Sequence, residues 1–147
     1  MEAEDLDSFT ATNKILENLK LKYRYMDNIM NLTKDMERAM MADDSASFGS
    51  ILDMRGDIMI TVDELNQENR EIISHLPDSL REKFSAIILP EKGQAGDSMT
   101  LDNPLETNIY DTNKRIAVLL SKIIKLDNEI NQKIKGQSQA HRLHVRG

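Results

Sequence analysis

Apolar residues recur at steps of three and four over three long stretches of this chain, and that spacing constrains the fold more than any other feature. The first stretch covers about residues 12–42, with Leu16, Leu19, Tyr23, Met26, Met30, Thr33 and Met40 on one line, and Ile15, Ile29, Leu32 and Met36 widening it. The second covers 46–75, where Phe48, Leu52, Arg55, Met59, Val62, Asn66, Asn69, Ile73 and Leu76 alternate at four and three. The third covers 104–135, with Leu105, Ile109, Thr112, Ile116, Leu119, Ile123, Leu126 and Ile130, and with Leu120, Ile124 and Ile134 beside them. A strand alternates at two, so these stretches cannot bury one face as strands. The expectation is an all-α fold, an elongated antiparallel bundle of three long helices.

Punctuation divides the stretches. Asp43-Asp44, with Ser45 and Ser47, offers a turn and an N-cap. Leu76-Pro77 stops the second helix, because the proline ring disfavours helix in the residue before it. A short fourth helix is expected over 79–89, where Ser79-Leu80-Arg81-Glu82 spells a capping box and Leu80, Phe84 and Ile87 share a face. Residues 90–103 have no period and read as a loop. Asn103-Pro104-Leu105-Glu106 then places Asn at N-cap, Pro at N1 and Glu at N3. Gly136 reads as the residue that ends the last helix, leaving 136–147 as a flexible basic tail, and 1–10 reads as a disordered acidic start. One bundle over 11–135 suits a chain of 147 residues.

Charge varies along the chain, from −4 over residues 1–45 to −6 over 46–103 and +4 over 104–147. An acidic second helix and a basic last helix would attract if they lay side by side. The acidic start (Glu2, Glu4, Asp5, Asp7) is the opposite of a basic signal-peptide start, and no apolar run approaches the ~18 residues of a membrane span. With no Cys in the chain, a cytoplasmic location is the expectation.

The same residues offer little to catalysis, and the chain is expected not to be an enzyme. There is no Gly-x-x-x-x-Gly-Lys and no Gly-x-Gly-x-x-Gly to cradle phosphate. His141 and His144 form a His-x-x-His pair in the tail, too few ligands for a metal site, so no metal and no cofactor are expected. Arg55-Gly56-Asp57 and the sequon Asn31-Leu32-Thr33 both fall inside helical periods, where neither would be presented on an exposed turn. Lys114, Arg115, Lys122, Lys125 and Lys133 make the last helix basic, but a pI near 5.1 and six aromatics argue against nucleic acid.

Two features point to interaction instead. Arg55 sits within an apolar stripe, where an unpaired charge would be costly. Either it pairs with a carboxylate on the first helix, such as Glu37, or it anchors a partner. The last helix carries more apolar surface between Ile116 and Ile124 than two neighbours need. The surplus suits the short helix, a second copy, or another protein's amphipathic helix. Nine Met residues add adaptable surface, and Met26, Met30 and Met59 could line a groove.

The chain resembles flagellar export chaperones of the FlgN/FliT kind. The residues that carry the likeness are Phe48-x-x-Ile51-Leu52-x-x-Arg55, then Ile58-Met59-x-x-Val62-Asp63-x-Leu65-Asn66, and Ile123-Ile124-x-Leu126-Asp127-x-Glu129-Ile130-Asn131. The resemblance implies a non-enzymatic chaperone that binds the C-terminal amphipathic helix of a late-secreted hook-associated or filament-cap protein. It would prevent premature assembly and deliver that client to the export gate at the membrane. By position, it implies client contacts at Ile116, Leu119, Leu120, Ile123 and Ile130, and a gate contact at Tyr110. A doubled substitution, Leu119→Asp with Ile123→Asp, would then weaken binding. The other reading is a structural or adaptor protein that self-associates through the same stripe, and a weak homodimer is compatible with either.

Overall fold

The repeats become helices because each apolar stripe has a neighbour to bury it. The structure, a computed structural model, describes residues 3–89 and 100–146, with side chains over 7–89 and 100–137. It is all-α: α1 (Ala3–Met41), α2 (Ser45–Ser74), α3 (Asp78–Ile88) and α4 (Pro104–Arg146). Asp43 turns the chain between α1 and α2 at a φ of 55°, a left-handed conformation that Asp tolerates better than most residues. Asp44 then caps α2 by accepting from the Ser47 amide at 3.1 Å. Its hydrogen bonds from the Ser47 side chain and amide hold the carboxyl below its ordinary pKa.

α1 is the central element. α2 runs back along it, as the buried Asn18–Asn69 amide bond (2.9 Å) and the Arg55–Thr33 bond (3.1 Å) require. α4 lies on another side of α1 and runs in the same direction, with Tyr23 of α1 beside Leu119 of α4 and, farther along both, Glu37 bonded to Lys133 at 3.1 Å. The backbones of α2 and α4 do not come within 8 Å of each other, Cα to Cα, among the described residues. The acidic second helix and the basic last helix therefore meet through side chains and not by close backbone approach.

α3 fills part of the space between them. Its Phe84 is fully buried, and the Asn113 amide of α4 donates to the Ile87 carbonyl at 2.8 Å. The start of α4 forms as its sequence spells it, with Asn103 Oδ1 accepting from the Glu106 amide at 2.9 Å. Glu106 is buried, and it accepts from the Asp102 amide and from Lys83 of α3, at 3.0 and 2.7 Å. Burial disfavours the Lys83 charge, but hydrogen bonds to Asp102 and Glu106 outweigh it, and its pKa is raised.

Three expectations need correction. Residues 1–10 read as disordered in the sequence, yet α1 starts at Ala3. Gly136 does not end the last helix, which continues to Arg146. That glycine keeps a negative φ, so it weakens the helix by about 1 kcal/mol rather than terminating it. The Ser79-x-x-Glu82 box does not form either. The helix starts one residue earlier, after Pro77, and Ser79 lies inside the first turn, where it cannot cap. The expected 90–103 loop lies outside the described residues over 90–99; residues 100–103 carry no helix.

Candidate functional site: the two flanks of the last helix

A buried polar layer divides the core. Below it lies the larger cluster, including Leu19, Met26, Ile29, Val62, Ile73, Phe84, Ile116 and Ile123. Above it lies a small one of Met36, Met40 and Ile130, with Phe48, Ile51 and Leu126 packed on. Between them Thr33 Oγ1 donates to the Ile29 carbonyl at 2.6 Å and accepts from Arg55 Nη1. The same Nη1 donates to Asp127 Oδ1 at 2.6 Å. Every group in this layer has a partner, and no buried side-chain polar atom lacks one among the described residues.

Arg55 thus pairs with a carboxylate, but on α4 and not with Glu37, which is held by Lys133. The reason is geometric. Thr33 occupies the facing position on α1, so the guanidinium reaches past its hydroxyl to the next helix. A base from the acidic helix meets an acid from the basic helix, opposite to the sense suggested by net charge.

This bridge crosses the gap, here called the α2–α4 cleft, between two helices whose Cα atoms stay more than 8 Å apart. On α2, Leu52, Arg55 and Met59 follow at steps of three and four, so Leu52 and Met59 share the side from which Arg55 reaches α4. On α4, Leu120, Ile124 and Asp127 do the same. All four apolar residues are exposed: Leu52 43%, Met59 42%, Leu120 43% and Ile124 50%. Along α4, Asn113, which bonds the end of α3, and Asp127 are about 21 Å apart. Val62, Ile116 and Ile123 are buried in the cluster beneath.

The other flank of α4 differs in chemistry. It meets α1 in a shallow seam where Tyr23 and Met30 of α1 face Leu119 and Leu126 of α4, with exposed Val118 alongside. Tyr110 lies near the start of α4, half-buried, with Lys114 Nζ 5.7 Å from its ring centre. Among the described residues, no group of three His, Asp or Glu side chains converges to hold a metal.

The residues expected to contact a client separate into two sets. Ile116, Ile123, Ile130 and Met26 are buried core residues, with exposures of 1–5%, and are not available at the surface. Leu119 and Met30 are half-buried on the α1 side, and Leu120 and Met59 line the α2 side. Met26, Met30 and Met59 therefore do not share one groove. The Leu119→Asp, Ile123→Asp pair would also place a carboxylate in the core, making it a test of folding. Leu52 and Ile124 were missed as site residues, and one signal was present: Leu52 lies in its stripe and Ile124 beside its own, in step with Arg55 and Asp127. Comparison with models of known protein families, with curated proteins and with solved structures returns no match.

Proposed function

We propose that the protein is a non-enzymatic, cytoplasmic chaperone of the FlgN/FliT kind, built as an elongated bundle of three long helices with a short fourth. It captures the C-terminal amphipathic helix of a late-secreted hook-associated or filament-cap protein. The observation that carries this reading is the exposed apolar edge along the α2–α4 cleft, where Met59, Leu120 and Ile124 stay 42–50% exposed beside the Arg55–Asp127 bridge. An apolar helix face laid between them would remove those side chains from water. Tyr110 is the proposed contact with the export gate. No described helix is long and apolar enough to cross a membrane.

The test is affinity purification of the tagged full chain from its own source, followed by mass spectrometry and calorimetry on what is recovered. A hook-associated or cap protein should be recovered, and Leu120→Asp with Ile124→Asp should abolish its binding while circular dichroism shows the variant folded. Recovery of other proteins alone, or unchanged affinity in that variant, would refute the reading. A self-associating adaptor is the second reading, favoured by Met54 (52% exposed) and Ile60 (58%) elsewhere on α2. Light scattering separates the two: a tight, concentration-independent oligomer supports the adaptor, and a monomer or weak dimer supports the chaperone.

A further inference from the structure

The α1–α4 seam carries a local charge opposite to that of the whole chain. Six basic and three acidic side chains line it between Asp111 and Glu129, on a protein of net charge −6. Glu37 is already held by Lys133, Arg38 pairs with Asp35, and Lys114 lies over the Tyr110 ring. Lys34, Arg115, Lys122 and Lys125 are exposed and have no ion-pair partner among the described residues. Exposed cations set beside apolar side chains leave both kinds of surface unmatched.

The apolar part has a helix's periodicity. Tyr23 and Met30 are seven apart on α1, and Leu119 and Leu126 are seven apart on α4, so the two helices present a double row along a common direction. From Asp111 to Glu129 the row is about 27 Å long, which matches about 18 residues of helix. Lys122 borders both halves of the seam and makes it continuous.

We propose that this seam is a second interaction surface, separate from the α2–α4 cleft, which binds an amphipathic helix whose apolar stripe is flanked by Asp and Glu. The partner's stripe covers Tyr23, Met30, Leu119 and Leu126, and its carboxylates meet Arg115, Lys122, Lys125 and Lys34. A helix in the seam experiences mainly those nearby bases, because screening at physiological salt acts over about 8 Å. An anionic bilayer would meet the acidic remainder of the protein as well, and a flat surface cannot follow a groove between two helices.

The probes are three 18-residue helical peptides with one Leu stripe, flanked by Glu, Gln or Lys, titrated into the labelled full chain by NMR and fluorescence anisotropy. The Glu peptide should bind about tenfold or more tightly than the Gln peptide, with shifts centred on Tyr23, Leu119 and Leu126. Its affinity should fall about tenfold between 50 and 500 mM NaCl, and Arg115→Glu with Lys122→Glu should remove the preference. These two side chains are exposed, so the variant should keep its helicity; Arg115→Gln with Lys122→Gln should halve the effect or more if it does not. Equal binding of all three peptides, no binding of the Glu peptide, or shifts confined to Met59, Leu120 and Ile124 would overturn the proposal. So would stronger binding to phosphatidylserine vesicles than to the Glu peptide, or concentration-dependent self-association that places the same shifts on the seam without peptide. The cleft-dependent capture of a client would survive any of these results.

Discussion

Replacing Arg55 by alanine should lower the unfolding free energy by about 2 kcal/mol. A hydrogen bond to a charged group contributes about 1.5–3 kcal/mol, and breaking a fully buried ion pair costs about 3–5. The lower end applies here, because Asp127 keeps 28% of its side chain exposed and can recover hydration when the guanidinium leaves. Arg55 itself is 12% exposed, so lost packing of its stem adds to the cost. The measurement is urea unfolding followed by circular dichroism, on Arg55→Ala, Asp127→Ala and the double variant. The double-mutant cycle should return a coupling of about 1–2 kcal/mol. The exposed Arg38–Asp35 pair, cycled in the same way, should return less than about 0.5. Joining the two core clusters with Arg55→Met and Asp127→Leu should be about neutral or stabilising, since a well-packed apolar replacement removes the desolvation cost of both ions. A single-variant loss below about 0.5 kcal/mol, or a coupling no larger than that of the surface pair, would refute the assignment of this bridge as the link between α2 and α4.

Three further outcomes are expected. Ile130→Ala should cost about 2–4 kcal/mol, because the side chain is 1% exposed in the smaller cluster, whereas Leu120→Ala should cost less than about 1; equal losses in thermal melts would contradict the division of α4 into core and cleft. Asn18→Leu should cost about 1–3 kcal/mol by leaving the Asn69 amide unpaired, and adding Asn69→Leu should restore most of it, as read by denaturant midpoint. The pKa of Lys83 is raised above its ordinary value of 10.5, so its contribution to stability is complete below that pH and disappears as pH rises through the raised value. Lys83→Met should therefore be less sensitive to alkali than the parent chain above pH 10.5, and parallel pH curves would count against the Lys83–Glu106 contact.

Much of the fold was legible in the sequence because local chemistry dictates it. α2 and α3 start and end within one residue of the spans read from periodicity, since Asp44, Pro77 and Asn103 act on their own backbone or that of the next turn. The two ends misled for a local reason as well. An acidic run and a glycine are each compatible with helix or coil, and composition does not choose between them. At the candidate site less was legible. A stripe that is apolar over more than half the helix circumference shows that something must cover it, but not which residues remain exposed. Ile123 and Ile124 are adjacent and chemically equivalent; one is 3% exposed and the other 50%.

Periodicity, capping and charge order, all properties of neighbours along the chain, determined that this protein is helical, where three of its helices begin, and that α4 carries surplus apolar surface. Tertiary structure decided which partner each side chain meets. α1 packs closely on both other long helices, the α2 and α4 backbones stay apart, and Arg55 crosses to Asp127 instead of stopping at Glu37. Those outcomes depend on distances between residues as far apart as 96 positions. Helical repeat sets the face on which a residue lies, but the packing of three helices at once decides what faces it.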